Sequence, residues 1–350
     1  MPFLFPTTDI TNPSQTISLN LVERTCFTVG YVFCFLIGCT GDILILVIIK
    51  RTKELQNDLN YLLCNIAIAD ILRMLTMFSY ELFMILAIGN AVDAIPAFPG
   101  IPGDILCKAM FSLPHTFSYA FVFTLVCITA ERFVAVLFPF RIVILKGKSK
   151  WLIVGVWFSS ILLALPLVYA SKSTPHGSGF ICDTDFTPFC SDTPSAQTSF
   201  YKNLLLADVI LAYVVPILLI ICFHAAMTYT ISKRPASVLT TQRTSSSSAA
   251  KRGVIPMLAT VSMVFMLTWL PNKVYLFLYI FQKRWMNDLP VYFTFLLFFI
   301  AALNSVVNPW LYPLHVKRFR REYAKLLRRC QTKSDIRAHQ KPTQPSKLVL

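Results

Sequence analysis

Charge is what this chain is shortest of. Only 14% of its 350 residues are charged, 55% are hydrophobic, and the mean hydropathy is +0.62. Soluble domains carry about 25% charged residues, so this balance excludes a water-soluble globular protein and fits one that crosses a membrane many times. No cysteine and histidine spacing of a zinc site occurs, and no phosphate-binding glycine loop. The formal net charge of +15 is therefore not the mark of a nucleic-acid or nucleotide site. Residues Met1 to Asn20 lack the basic start and clean apolar centre of a cleavable signal peptide, so the first span is expected to serve as its own insertion signal. Asn12-Pro13-Ser14 has the outline of a glycosylation acceptor, but its middle proline blocks it. No inverted repeat and no pair of short broken helices appears, which weighs against a transporter or channel.

Seven apolar stretches are present, at 26–49, 59–88, 105–138, 151–170, 203–231, 254–281 and 289–314. Each reaches the ~20 residues that span a bilayer as a helix. Lysine and arginine set the expected orientation. Twenty-three of the 32 fall in the loops 50–53, 141–150 and 233–252 and in the tail from Lys317, six fall on the other side, and three lie within spans. The basic side is expected to be cytoplasmic, with the amino terminus outside. The charge excess is this skew.

Ionisable groups inside spans are costly and face the bundle interior or a wet cavity. Asp42 lies in the first span, and Asp70 and Arg73 lie three apart on one face of the second. The pair reads either as a functional charge site or as a structural clamp between helices. Glu131 and Arg132 close the uncharged run Ser118 to Ile128. Arg132 reads as an interfacial arginine snorkelling to headgroups or as a five-donor fork that Glu131 neutralises at rest. Cys107 opens the same span 25 residues earlier, about 37 Å along a helix and a full crossing.

Cys107, the Glu131-Arg132-Phe133 triplet and Pro139 together resemble the third helix of rhodopsin-like G-protein-coupled receptors, with Phe133 in the usual tyrosine place. The resemblance covers about 290 residues. Trp157 and Pro166 mark the fourth span and Pro216 interrupts the fifth. Phe265-Met266-Leu267-Thr268-Trp269-Leu270-Pro271 is similar to the sixth-helix motif with Thr268 for cysteine. Asn304-Ser305-Val306-Val307-Asn308-Pro309-Trp310-Leu311-Tyr312 matches the seventh, and Phe319 sits in a basic stretch that looks like a surface helix. The fold implied is an all-α membrane protein, a seven-helix bundle with a short amphipathic C-terminal helix. Its expected layout is an extracellular segment 1–24, a bundle 25–315, a surface helix 316–330 and a tail 331–350.

The resemblance also assigns roles. Glu131, Arg132, Phe133, Asn308, Pro309 and Tyr312 would form the G-protein switch, and Trp269, Pro271, Phe265, Val122 and Pro216 the relay. Pro216, Pro271 and Pro309 each remove a backbone hydrogen bond and make hinges. In relatives the Asp70 position helps to hold sodium. Here Asn304, Ser305 and Asn308 keep the seventh-helix share, Phe121 replaces a serine and Asp42 an asparagine, so Arg73 is expected to act as a tethered counter-ion. The other arrangement turns Arg73 outward to Glu81. The partner of Arg132 on the sixth helix would be an acid in relatives and is Lys251 here.

Outer loop 2, Pro175 to Asp183, reads as a hairpin from its glycine-rich turn. Cys182 on its second strand is the expected disulfide partner of Cys107, with Cys190 the rival, and a Cys26–Cys190 bridge is a further alternative. Cys330 is a palmitoylation candidate. Inner loop 3, with Thr240, Thr241, Thr244 and Ser245 to Ser248, reads as a linker or as kinase sites. Pro114 stands where amine receptors carry aspartate and Ala302 where opsins carry lysine, so neither an amine nor retinal is expected. The outer half instead offers Tyr80, Glu81, His115, Asp208, Asn272, Lys273 and Tyr292, with Asp183, Asp185 and Asp192 above them. A peptide ligand is expected, a basic one by the loop acids, with a lipid or small molecule the alternative. Asp208 and Lys273 are expected to pair. The chain is expected to be a plasma-membrane receptor and not an enzyme, with no catalytic residue, cofactor or metal. The partners implied are a heterotrimeric G protein, arrestin, receptor kinases and membrane lipid, with no nucleic acid.

Overall fold

A computed structural model describes residues 19–89, 96–138, 147–176, 179–233, 246–281 and 289–326. Seven of its helices are long and apolar enough to cross a membrane. They are α1 (Leu21–Arg51), α2 (Asp58–Gly89), α3 (Gly100–Leu137), α4 (Ser149–Ala170), α5 (Pro194–Ser232), α6 (Ser246–Phe281) and α7 (Val291–His315). A further helix, α8, occupies 317–326.

The helix ends follow capping chemistry. Asn20 accepts from the Glu23 N–H and Glu23 accepts from the Asn20 N–H, a reciprocal pair that starts α1 at Leu21, inside the segment expected to precede the bundle. Thr193 caps α5 with Pro194 at its first turn, nine residues before the apolar run begins. Pro216 was expected to interrupt the fifth span. Instead α5 runs on through one π-turn, Ile210–Val214, which absorbs the ring that would strike the carbonyl of Ala212.

Helix α4 is the outermost, with 22% of its apolar window buried, and α7 the innermost at 56%. The main core joins α1, α2, α3, α6 and α7 through Ile45, Leu62, Leu63, Ile66, Phe121, Leu125, Phe265 and Tyr312. At Gly41 an added Cβ would lie 2.5 Å from the Pro309 ring, so only glycine lets α1 close on α7 there.

One end of the bundle carries a three-stranded sheet in the order β1-β3-β2, from β1 (Pro96–Ala97), β2 (Ser171–His176) and β3 (Gly179–Thr184). The expected hairpin is β2 and β3, antiparallel with Ser173 opposite Cys182. The pairing of β1 with Phe180 and Ile181 was not foreseen. Cys107 of α3 is bonded to Cys182 of β3, which ties the sheet over the helix ends. Cys190 and Cys26 are both free, so neither the rival pairing nor a Cys26–Cys190 bridge forms. The reason is local: Cys190 is held in a turn, its thiol 3.2 Å from the Phe186 carbonyl, and Cys26 points outward from α1.

Candidate functional site

Beneath the sheet lies a cavity of about 110 Å³ walled by residues of α2 to α7, Leu163 and Leu167 of α4 among them. Asp208 stands at its wall, two residues before the π-turn of α5. Lys273 of α6, two residues after Pro271, donates to Asp208 Oδ2 at 2.6 Å, and the Tyr119 hydroxyl of α3 donates to Oδ1 at 2.8 Å. His115 Nδ1 lies 3.7 Å from the same oxygen. Asp208 and Lys273 are 8% and 7% exposed, so the pair meets where water screens it little. Of the seven expected residues, Tyr80, His115, Asp208, Asn272 and Lys273 line this cavity, whereas Glu81 lines a second one. Tyr119 was missed, although it sits four residues after His115 and shares its helix face. Tyr292 does not join them: it is 42% exposed, because the start of α7 turns it off the bundle.

Below this, Arg73 forms the floor. Its Nη2 donates to Asp70 Oδ1 at 2.6 Å and its Nε at 3.2 Å, and Nη2 also bonds Ser305 Oγ. The Ser305 hydroxyl lies 2.7 Å from the same Asp70 oxygen. Arg73 therefore turns inward to Asp70 and α7 and not outward to Glu81. Its guanidinium also lies 5.8 Å from the Phe121 ring and 5.5 Å from that of Trp269. Asp42 is 2% exposed, and its Oδ2 has no hydrogen-bond partner among the described residues. Asn304 and Asn308 of α7 are buried as well, and their side-chain amides have no hydrogen-bond partner among the described residues. A second link lies one turn away, where Trp157 donates to Asn65 at 2.9 Å and Asn65 to Thr124 at 2.8 Å.

Trp269 is the hub above. Lys273 Nζ lies 5.4 Å from its ring, and the tilted ring of Phe265 lies below at 6.1 Å. Phe265 in turn meets Phe121 at 5.9 Å and Tyr213 of the π-turn at 6.1 Å. Val122 and Phe265 belong to one buried cluster and Pro216 is buried as well. The five expected relay residues thus lie on three neighbouring helices.

At the opposite end, Arg132 donates to Glu131 at 3.0 Å, and both side chains are largely buried. Arg132 Nε and Glu131 Oε2 have no hydrogen-bond partner among the described residues. Phe133 packs on Phe223 of α5 at 4.9 Å. Tyr312 is buried against Phe319 of α8, and Tyr323 of α8 donates to the Pro309 carbonyl at 3.3 Å. These contacts couple the end of α7 to α8.

A cavity under a disulfide-tied hairpin, a paired arginine at the far end and a proline-hinged aromatic hub between them suit a molecule that reports ligand across a membrane. The family model described as 7 transmembrane receptor (rhodopsin family) matches residues 41–312. The chain belongs to that family. Neuromedin-U receptor 2 of Rattus norvegicus is 25% identical over 307 residues, covering 84% of this chain and 73% of that one. Neurotensin receptor type 1 of Homo sapiens is 24% identical over 341 residues, 88% and 77% of the two chains. Growth hormone secretagogue receptor type 1 of Mus musculus is 26% identical over 317 residues, 87% and 80%.

As a rhodopsin-family receptor the chain departs from expectation in its outer acids. Asp185 accepts from Lys172 at 2.5 Å, and that hydrogen bond, aided by the Thr187 N–H, holds its carboxyl down at about 2. Asp192 lies 3.3 Å from the Gln197 amide, and Asp183 takes the Thr184 N–H. These acids are occupied, Asp183 within the hairpin, Asp185 just after it and Asp192 at the start of α5, and do not form a free acidic collar. Cys330, Thr240, Thr241, Thr244, Ser245, Pro139 and the side chains of Lys251 and Ser246 to Ser248 lie outside the described residues.

Proposed function

We propose that this receptor resides in the plasma membrane with its amino terminus outside, binds a peptide beneath the hairpin and activates a heterotrimeric G protein at the Arg132 end. The observation that carries this reading is the Asp208–Lys273 pair in the cavity wall, directly above the Trp269 hub. A ligand that breaks or joins the pair removes Lys273 from the Trp269 ring and frees the ring to tilt. Phe265 then shifts against Val122 and Pro216, and the π-turn and the Pro271 kink supply the give. At the far end Arg132 leaves Glu131 and offers its fork to the G protein. The relatives, receptors for peptide messengers, support the ligand class. The clustering of basic residues at one end supports the orientation.

Asp42 and Asp70, with Arg73, Asn304, Ser305 and Asn308, form the coupling network between the two ends, with Arg73 as its fixed cation. Arrestin and receptor kinases belong to the same reading, as does a palmitate on Cys330. The test is a screen of a peptide library against cells expressing the receptor, reading G-protein activation. Activation by peptides that untransfected cells ignore is the expected result. Activation by lipid extracts and by no peptide overturns the ligand class.

A further inference from the structure

A second cavity, about 40 Å³, lies between α1, α2 and α7 and shares Arg73, Met77, Trp269 and Phe298 with the first. Glu81 of α2 lines it. Its side chain is 3% exposed, and Oε1 has no hydrogen-bond partner among the described residues. The Tyr31 hydroxyl, 3.2 Å from the Phe295 carbonyl, is its polar neighbour. The other charged groups lining the two cavities have partners: Arg73 has Asp70, Lys273 has Asp208, and His115 lies at that same carboxylate. Glu81 alone has no cation among the described residues. A buried carboxylate without one is strongly disfavoured, so the site is built for a positive charge supplied from elsewhere or for a proton.

The walls decide what kind of charge. Phe35 and Phe78 stack at 4.8 Å, and Trp269 and Phe298 face the same space. Hard metal ions take about six oxygen ligands. Here only Tyr31 and Ser305 could add oxygens to Glu81, Ser305 is already bonded to Asp70, and no metal-holding group of three occurs among the described residues. Rings around one carboxylate suit an organic cation, whose charge the ring faces attract and whose hydrocarbon they bury.

We propose that the α1/α2/α7 cavity binds an organic cation, the ammonium or guanidinium of a ligand extending from the main cavity, with Glu81 as its counter-ion. This deepens the peptide reading by assigning the ligand a basic group. That group is read by Glu81, not by the acids of the hairpin, which have partners of their own.

The test uses the purified full-length receptor in lipid nanodiscs, with benzylammonium chloride as the probe and benzyl alcohol and sodium chloride as controls. Benzylammonium well above its dissociation constant is expected to raise the thermal midpoint by roughly 2 °C or more. Benzyl alcohol and sodium are not, and Glu81→Gln is expected to abolish the shift while Glu81→Asp keeps part of it. Should Glu81→Gln fail to fold, Ala302→Leu fills the cavity from α7 with Glu81 intact and is expected to abolish the shift too. No shift in the wild type, or an equal shift in Glu81→Gln or Ala302→Leu, overturns the site. A peptide found in the library screen adds a separate readout. Neutralising its basic group is expected to cost at least about tenfold in potency on the wild type and nothing further on Glu81→Gln. A peptide agonist of equal potency on both receptors overturns the site and leaves the receptor reading standing. A screen without any peptide agonist fails that reading and leaves the benzylammonium result to be judged alone.

Discussion

Lys273→Met leaves the Asp208 carboxylate in a wall where it is 8% exposed, with the Tyr119 hydroxyl and His115 at 3.7 Å as the groups among the described residues that oppose its charge. Breaking a buried pair by removing one partner costs about 3–5 kcal/mol, and the surviving Tyr119 bond points to the lower figure. About 3 kcal/mol corresponds to roughly 150-fold in an equilibrium constant. The reverse exchange, Asp208→Lys with Lys273→Asp, restores the pair but leaves the Tyr119 hydroxyl without an acceptor, because a lysine offers none. That orphan costs about 1–3 kcal/mol, so the exchange should recover about half of the single-variant loss. Adding Tyr119→Phe removes the orphan and should recover about 1 kcal/mol more. Replacing both charges and the hydroxyl that depends on them, as Asp208→Leu with Lys273→Met and Tyr119→Phe, should leave folding near the wild-type level yet abolish the ligand response. The assay is the thermal midpoint of receptor purified in nanodiscs, beside surface expression and agonist dose response. Full additivity of the two single variants, with no recovery in the exchange, refutes the coupling.

Three further outcomes follow from the same contacts. Glu131→Gln should raise ligand-free signalling, since Glu131 is the described partner of Arg132, and a flat basal signal at normal surface expression refutes the lock. Agonist affinity should be indifferent to sodium in the wild type and become sensitive in Arg73→Ala, where the tethered guanidinium is gone. A clear sodium effect on the unmodified receptor refutes that role. The Asp185 carboxyl is lowered on folding, so the stability it lends is present above its ordinary value of about 4 and is lost as pH falls through about 2. Hydrogen exchange of the hairpin amides should therefore stay slow at pH 4 in the wild type, and Lys172→Ala should speed it there. Equal rates in the two refute the pairing.

The chain displays its spans plainly because hydropathy accumulates over twenty residues, whereas ends depend on single caps. The first nine residues of α5 include Ser195, Gln197, Thr198 and Lys202, so an apolar-run criterion passes over them, although Thr193-Pro194 announces the helix start. Asn20 and Glu23 announce α1 in the same way. Pairs within one helix turn, such as Asp70 with Arg73, are visible in sequence because spacing fixes the face. The Asp208–Lys273 pair spans 65 residues and was legible only by placing both near hinge prolines. The Trp157–Asn65–Thr124 chain and the β1 pairing have no local pattern: the first depends on how three helices rotate about their own axes, the second on two loops meeting across about 85 residues. Tyr292 shows the same limit from the other side: its polarity and position suit a cavity, and the rotation of α7 turns it away.

Arg73 is where the pieces join. A guanidinium cannot lose its charge, so the carboxylates around it must arrange themselves to suit it. Asp70 takes two of its donors, while Asp42 gains no hydrogen bond to it among the described residues. Phe121 fills the place where a relative's serine would add an oxygen, and the guanidinium lies against that ring instead. One face of the same group touches Trp269, and the side chain lines both cavities. On the proposed mechanism a ligand that moves Trp269 changes what Arg73 sees, and Arg73 passes this through Asp70 and Ser305 into α7, four residues before Pro309. The reach from ligand cavity to the Pro309–Tyr312 segment is thus one arginine long. On the proposed reading the path from ligand to G protein runs through a covalently fixed charge, which no salt in the medium can displace.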